Sequence, residues 1–179
     1  MSIQENGRVV IIDDEIEEGL PLMQALIRNR IPVFYFTGNL DDLPTKPIEE
    51  TRLVFLDIVL GANIKPKNVI STVVNVLKKI IGVKNGPYLI VAWTKHEEYI
   101  EEIKKALKDR PPICFLNLEK NECKDSAGAY DINKIQNKIK EALRKSKSFQ
   151  ILTIWENHVH KSAGEIVKDF SSFFKVDDE

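Results

Sequence analysis

The chain has 179 residues, which fits one domain of roughly 100 to 150 residues with an appendage. Its 26 basic and 27 acidic residues leave a formal net charge of -1, which gives no support for a nucleic-acid or anionic-membrane surface. Cys114 and Cys123 form no metal-binding pattern, and no apolar run approaches the roughly 20 residues of a membrane span, so we expect a cytoplasmic protein with reduced thiols.

Apolar β-branched runs alternate with amphipathic segments, which is typical of a parallel sheet built from βα units. Strands are predicted at 9–12, 33–37, 53–56, 88–93 and 113–118. Helices are expected after the first, third, fourth and fifth strands, and Asp131 is expected to cap the last of these helices. The connection at 38–52 contains Pro44 and Pro47, so a helix there should be short or missing.

The tail from about Phe149 carries one apolar stripe at steps of three or four residues. Its members are Leu152, Trp155, Val159, Ala163, Ile166, Phe170 and Phe173. The stripe suits a helix folded back on the domain and equally a dimerising or connecting helix, and Trp155 is expected to be a packing residue. We divide the chain into a domain at 1–146 and a C-terminal amphipathic helix at 147–179.

Three carboxylates follow the first and third predicted strands. Asp13 and Asp14 close the first, and Asp57 closes the third. The carboxyl ends of parallel strands meet in one crevice where ligands bind, so these side chains are expected to converge. Hard oxygen ligands of this kind favour Mg²⁺. Taken alone, Asp13 and Asp14 also suit an acidic cap of the first helix.

A hydroxyl and an ammonium are predicted at the same rim of the sheet. Thr94 follows the fourth strand and Lys120 follows the fifth. Such a set suits phosphoryl transfer, because a carboxylate attacks phosphorus, a metal offsets charge on the oxygens, and a hydroxyl and a cation hold the acyl phosphate. Thr94 equally suits a helix N-cap, and a one-residue shift of strand five would leave Lys120 in solvent.

The strand ends read IIDDE, LVFLDI, VAWTK and LNLEK. In these motifs and their order the chain resembles the receiver domain of two-component response regulators, over roughly residues 7–146. The resemblance implies a flavodoxin-like (βα)5 fold, a doubly wound parallel sheet of five strands in the order 2-1-3-4-5. The C-terminal helix would be an extension of that fold.

Carried onto this sequence, the resemblance implies a role for each rim residue. Asp57 would be the phosphoacceptor, Thr94 would hydrogen-bond a phosphoryl oxygen, and Lys120 would pair with the acyl phosphate. The implied Mg²⁺ ligands are Asp13, Asp14, Asp57 and the backbone carbonyl of Val59.

Three positions depart from the family pattern. Lys95 replaces a small residue after the hydroxyl, Asn117 stands where an aromatic switch residue is usual, and Asn121 replaces the proline after the lysine. A cis peptide is therefore not expected before Asn121, because a non-proline cis bond costs roughly 3 to 4 kcal/mol. Phe115 lies two residues before Asn117, on the same face of the strand.

The resemblance implies a signalling module rather than a conventional enzyme. Its partner would be a histidine kinase or phosphotransfer protein, and the C-terminal helix would form a homodimer or join a fused effector. The alternative is a pseudo-receiver that acts as a phosphorylation-independent interaction or dimerisation module. A phosphatase or hydrolase is disfavoured because Ile58 and Val59 follow Asp57, which breaks the DxD spacing of such enzymes.

Overall fold

The computed structural model describes residues 8–61, 65–94, 96–144 and 147–173. Within these ranges the strands are β1 (Arg8–Ile12), β2 (Val33–Phe36), β3 (Thr51–Leu56), β4 (Leu89–Ala92) and β5 (Cys114–Asn117). The α-helices are α1 (Ile16–Arg28), α2 (Pro66–Ile80), α3 (Ile100–Ala106), α4 (Ile132–Leu143) and α5 (Lys147–Ser171). Short 3-10 helices cover Glu97–Tyr99 and Lys120–Cys123.

The five strands form one parallel sheet in the order β2-β1-β3-β4-β5. This doubly wound order is the flavodoxin-like one, in which ligands bind outside the carboxyl ends of the strands. The predicted fold class, with its C-terminal helix, is confirmed. The register aligns Ile12 with Leu56 and Leu56 with Ala92, so the carboxyl ends of three adjacent strands lie level.

Helices cover both faces of the sheet, which explains why the strands read as continuous apolar runs. Val10 and Ile12 point to the face that packs against α2 and α3. Val9 and Ile11 point to the opposite face, which packs against α1 and α4. Asp131 caps α4 as predicted, since its carboxylate accepts the amides of the two residues at positions 133 and 134.

The connection from β2 to β3 contains no helix between residues 37 and 50, as the sequence predicted. Leu43 and Ile48 are buried and fix this loop to the α2 face of the sheet. Gly38 has a φ of +84°, and a Cβ there would lie 2.9 Å from a methyl carbon of Leu60. Glycine is therefore needed both for the backbone conformation and for the close approach.

Only the first turns of α5 pack against the domain. Phe149 and Thr153 are buried, whereas every residue from 158 to 173 is exposed. Trp155 is 65% exposed, so the prediction that it packs is wrong. The face that meets the domain carries Phe149, Thr153 and Glu156 instead of the apolar stripe, so the stripe does not fold back on the sheet. In the part of the chain that is described, no helix has the length and apolar character needed to cross a membrane.

Candidate functional site

Three carboxylates converge at the carboxyl edge of the sheet. Asp13, Asp14 and Asp57 each place one oxygen within 4.8 Å of the others. The sheet hydrogen bonds continue one residue past the strands, since the Asp13 amide donates to Phe36 O at 3.1 Å and the Asp57 amide to Ile12 O at 2.8 Å. The backbone of the sheet itself therefore brings these carboxylates together.

Local hydrogen bonds orient two of the carboxylates. Asp13 Oδ1 accepts the Glu15 amide at 3.1 Å, and Asp57 Oδ1 accepts the Val59 amide at 3.1 Å. These are the turns that aspartate makes with its own backbone two residues on. The second oxygen of each carboxylate, Oδ2, is left to face Lys120.

Tyr35 on β2 fixes the backbone of the first acidic residue. Its hydroxyl donates to the Asp13 carbonyl oxygen at 2.5 Å. The ring also lies under α1, because a Cβ at Gly19 would be 2.4 Å from a ring carbon of Tyr35. Gly19 thus lets α1 approach β2, and burial with the surrounding acidic groups raises the pKa of Tyr35 to about 12.

Lys120 joins the carboxylates from the end of β5. Its Nζ lies 3.1 Å from Asp13 Oδ2 and 3.4 Å from Asp57 Oδ2, and it also donates to the Glu18 carboxylate. The Leu118 amide donates to Ala92 O at 2.9 Å, which holds the register that places Lys120 at the rim. The lysine side chain is only 19% exposed, so it is not a solvated surface lysine.

Burial sets the ionisation of this cluster. Burial raises the pKa of Asp13 to about 6 and outweighs the lowering effect of Lys120. Burial raises the pKa of Asp57 as well, again against the pull of Lys120. For Lys120 burial acts in the opposite direction, but Glu18 and the two aspartates outweigh it and raise the pKa of the ammonium.

The donor set fits a hard divalent cation. Asp13, Asp57 and Glu18 contact the Lys120 ammonium, and Asp14 lies beside the other two aspartates, so the carboxylates outnumber this cation. Mg²⁺ prefers oxygen ligands and is held in proteins by few carboxylates and several waters. The convergence of the three aspartates is therefore chemically suited to Mg²⁺.

Thr94 lies in the same cleft as Asp57 and Lys120. It is buried, and its Oγ1 accepts the His96 amide at 3.0 Å. The hydroxyl thus closes a turn before the 3-10 helix and does not cap α3. It makes no hydrogen bond to Asp57 or Lys120, but its own proton is not used by the bond to His96.

The cleft has a volume of about 510 Å³, and the connection from β5 to α4 forms one of its walls. Lys124 and Tyr130 pair as an antiparallel bridge, and the Lys124 ammonium lies 5.4 Å from the centre of the Tyr130 ring. Asp125 Oδ1 accepts the Ala127 and Ala129 amides and so tightens the turn between them. The polar run after Lys120 supplies the turn residues of this wall, which was not predicted from the sequence.

Two of the three positions that depart from the family pattern, Asn117 and Asn121, lie within the described residues. Asn117 Nδ2 donates to Glu97, whereas its Oδ1 is buried and has no hydrogen-bond partner among the described residues. Phe115 packs against the α2 and α3 core. Lys95 lies outside the described residues. No cis peptide occurs in the described ranges, which agrees with the expectation for Asn121.

Sequence reasoning missed two residues that position this cluster. Glu18 belongs to the acidic run that follows the first strand and begins α1, so the sequence held a usable signal for it. Tyr35 gave no such signal, because its contact with Asp13 depends on how β2 pairs with β1.

No protein-family model matches the chain, and no curated protein matches it. Solved structures similar to it are mostly response regulator receiver domains. A CheY-like receiver domain protein from Methanospirillum hungatei JF-1 has 16% identity and a TM-score of 0.47, over 79% of this chain and 97% of that chain. An adenylate cyclase from Rhodopirellula baltica has 15% identity and a TM-score of 0.46, over 91% of this chain and 98% of that one. A response regulator from Burkholderia pseudomallei with a phosphorylated aspartic acid and a calcium ion has 16% identity and a TM-score of 0.45, over 77% and 74% respectively.

Proposed function

We propose that the chain is a phosphoacceptor receiver module of two-component-type signalling. Asp57 takes a phosphoryl group from a histidine kinase or phosphotransfer protein, and the chain passes the signal to a partner. The supporting observation is the position of Asp57 between two further aspartates and the Lys120 ammonium, which lies 3.4 Å from it. In this role the chain is a signalling module and not a conventional enzyme.

In this mechanism each rim residue has one task. An Asp57 carboxylate oxygen attacks phosphorus, the N–P bond of the phosphohistidine breaks, and the imidazole leaves with the electron pair. Lys120 then pairs with a phosphoryl oxygen of the acyl phosphate, and the Thr94 hydroxyl donates to another. Asp13, Asp14, Asp57 and the Val59 carbonyl would hold Mg²⁺. When bound, Mg²⁺ supplies positive charge that offsets the charge on the phosphoryl oxygens.

The exposed stripe of α5 supports a role in transmitting the signal to a second copy of the chain. Six of the seven stripe residues are exposed large apolar side chains, namely Leu152, Trp155, Val159, Ile166, Phe170 and Phe173. Apolar residues at steps of three or four form a stripe that packs well against the same stripe of another helix. A fused effector that continues from this helix would use the same face.

A second candidate function is a phosphorylation-independent interaction module. The observation in its favour is that Lys120 already has carboxylate partners without a phosphoryl group, in Asp13, Asp57 and Glu18. In that case the cluster stabilises the fold, and α5 alone carries the function.

Intact-mass spectrometry separates these two functions. The chain is incubated with Mg²⁺ and acetyl phosphate or phosphoramidate, alongside Asp57→Asn and the control Asp41→Asn in an exposed loop outside the cleft. A receiver gains one labile phosphate that requires Mg²⁺ and Asp57 and is retained in the Asp41 variant. A folded chain that gains no phosphate at saturating Mg²⁺ contradicts the receiver function and favours the interaction module.

A further inference from the structure

Lys120 is held by a residue outside the set that the receiver mechanism uses. Glu18 lies on α1, and its carboxylate accepts a hydrogen bond from Lys120 Nζ. The same ammonium lies 3.1 Å from Asp13 Oδ2 and 3.4 Å from Asp57 Oδ2. Three carboxylates, one on α1 and one just after each of β1 and β3, therefore share one cation before any phosphoryl group is present.

We infer that Glu18 is a positioning residue that withholds Lys120 from the acyl phosphate and so opposes phosphorylation of Asp57. The inference rests on the proposed function and assigns to this site an internal competitor. Lys120 must leave the Glu18 oxygen before it donates to a phosphoryl oxygen, and no covalent bond changes in this exchange.

The surroundings of the three carboxylates explain why Glu18 is the competitor. Asp13 and Asp57 are fixed by bonds to the amides of Glu15 and Val59, and their oxygens would be shared with a divalent cation. The Glu18 side chain, in contrast, is 48% exposed on α1. Glu18 can therefore keep its ion pair with Lys120 while the aspartates bind a divalent cation. Because Glu18 is partly exposed, water can solvate its carboxylate when the ion pair opens.

The strength of the competition follows from this exposure. Partly exposed ion pairs contribute up to about 1 kcal/mol, which corresponds to about a fivefold change in an equilibrium or rate. Removal of the Glu18 charge also removes a negative group near the incoming phosphoryl oxygens. Both effects favour the acyl phosphate, so neither cancels the other.

The test compares Glu18→Gln and Glu18→Asp with Glu17→Gln. Glu17 is the neighbouring acidic residue on α1; it lines the same cleft and makes no contact with Lys120. Its neutralisation changes the net charge equally. Aspartate keeps the charge but shortens the reach, so it separates the ion pair from simple charge repulsion. The initial rate of Asp57 labelling by acetyl phosphate at fixed Mg²⁺ is measured by intact mass.

A second readout needs neither metal nor phosphate. The ¹⁵N signal of the Lys120 ammonium, assigned with Lys120→Arg, is recorded in the metal-free chain. We expect it to change in both Glu18 variants and to stay unchanged in Glu17→Gln.

We expect both Glu18 variants to be labelled about threefold to fivefold faster than the unmodified chain, with Glu17→Gln close to it. Equal rates in Glu17→Gln and Glu18→Gln would show a general charge effect and overturn the inference, as would an unchanged Lys120 signal. If the Glu18 variants are labelled and the unmodified chain and Glu17→Gln are not, the result strongly supports the inference. If no variant is labelled although the Lys120 signal responds to Glu18, the proposed receiver function fails and the inference fails with it.

Discussion

Arg52 and Glu156 form a two-pronged ion pair across 104 residues of sequence. Arg52 Nε lies 3.1 and 3.0 Å from the two Glu156 oxygens, and Nη2 lies 2.6 Å from Oε1. Arg52 Nη1 also donates to the carbonyls of Thr51 and Asn85. The pair ties α5 to the amino end of β3, so it fixes where the helix leaves the domain.

Loss of this pair should loosen α5. The two side chains are 11% and 19% exposed, so removal of one leaves a poorly solvated charge on the other. We expect Arg52→Ala to lower the free energy of unfolding by about 1 to 3 kcal/mol in urea titrations. The control is Glu165→Gln, whose partner Lys161 is 4.0 Å away on an exposed surface and which should change stability by less than about 0.5 kcal/mol. Equal effects of the two substitutions would contradict an anchoring role for Arg52.

Asp13 should make the metal-free chain less stable as pH rises. Its pKa is raised from 3.8 to about 6, so the folded chain binds this proton more tightly than the unfolded chain. The resulting stability is fully present below about pH 4 and is lost as pH rises through about 6. Asp13→Asn removes this loss. The difference in free energy of unfolding between the variant and the unmodified chain should therefore shift in favour of the variant by roughly 1 to 3 kcal/mol from pH 4 to pH 7.

Urea unfolding at a series of pH values in a metal chelator measures this difference. Glu15→Gln is the control, because Glu15 is an exposed acidic residue of the same segment. A constant stability difference between Asp13→Asn and the unmodified chain from pH 4 to 7 would exclude a raised pKa at Asp13.

Asp14 should contribute to Mg²⁺ affinity. It is one of the three carboxylates within 4.8 Å of one another, and affinity for hard cations depends on the number of charged ligands. We expect Asp14→Asn to weaken Mg²⁺ binding about tenfold in titration calorimetry. Glu17→Gln removes an equal charge from the wall of the same cleft but lies outside this trio, and it should weaken binding much less. Similar losses in both variants would indicate that the cleft attracts cations only by its net charge.

Trp155 should contribute to self-association through α5. A charge at this exposed position disrupts an apolar seam, so Trp155→Glu should shift the chain towards monomer in sedimentation equilibrium. Lys168→Glu is the matched control, since position 168 lies on the opposite side of the helix from the stripe. If the unmodified chain is monomeric at every concentration, α5 does not mediate self-association. A fused effector would then remain as the partner of this helix.

Much of the fold could be predicted from the sequence. The strands are buried on both faces and therefore appear as short apolar runs, and the residues that end them appear as Asp13, Asp57, Thr94 and Lys120. The two prolines between β2 and β3 correctly predicted the missing helix. These properties are local, because burial pattern and backbone restriction act on neighbouring residues. The division of the chain at residues 146 and 147 stays a prediction.

Two contacts at the site, and the direction of the α5 stripe, were decided by the tertiary structure alone. The contact of Lys120 with Glu18 depends on the packing of α1 beside the end of β5, and the contact of Tyr35 with Asp13 depends on strand pairing. The apolar stripe on α5 could be predicted from the sequence. That the stripe points away from the domain could not. Arg52 turns a different helix face towards the domain through Glu156, and a contact between residues 104 positions apart leaves no periodic trace in the sequence.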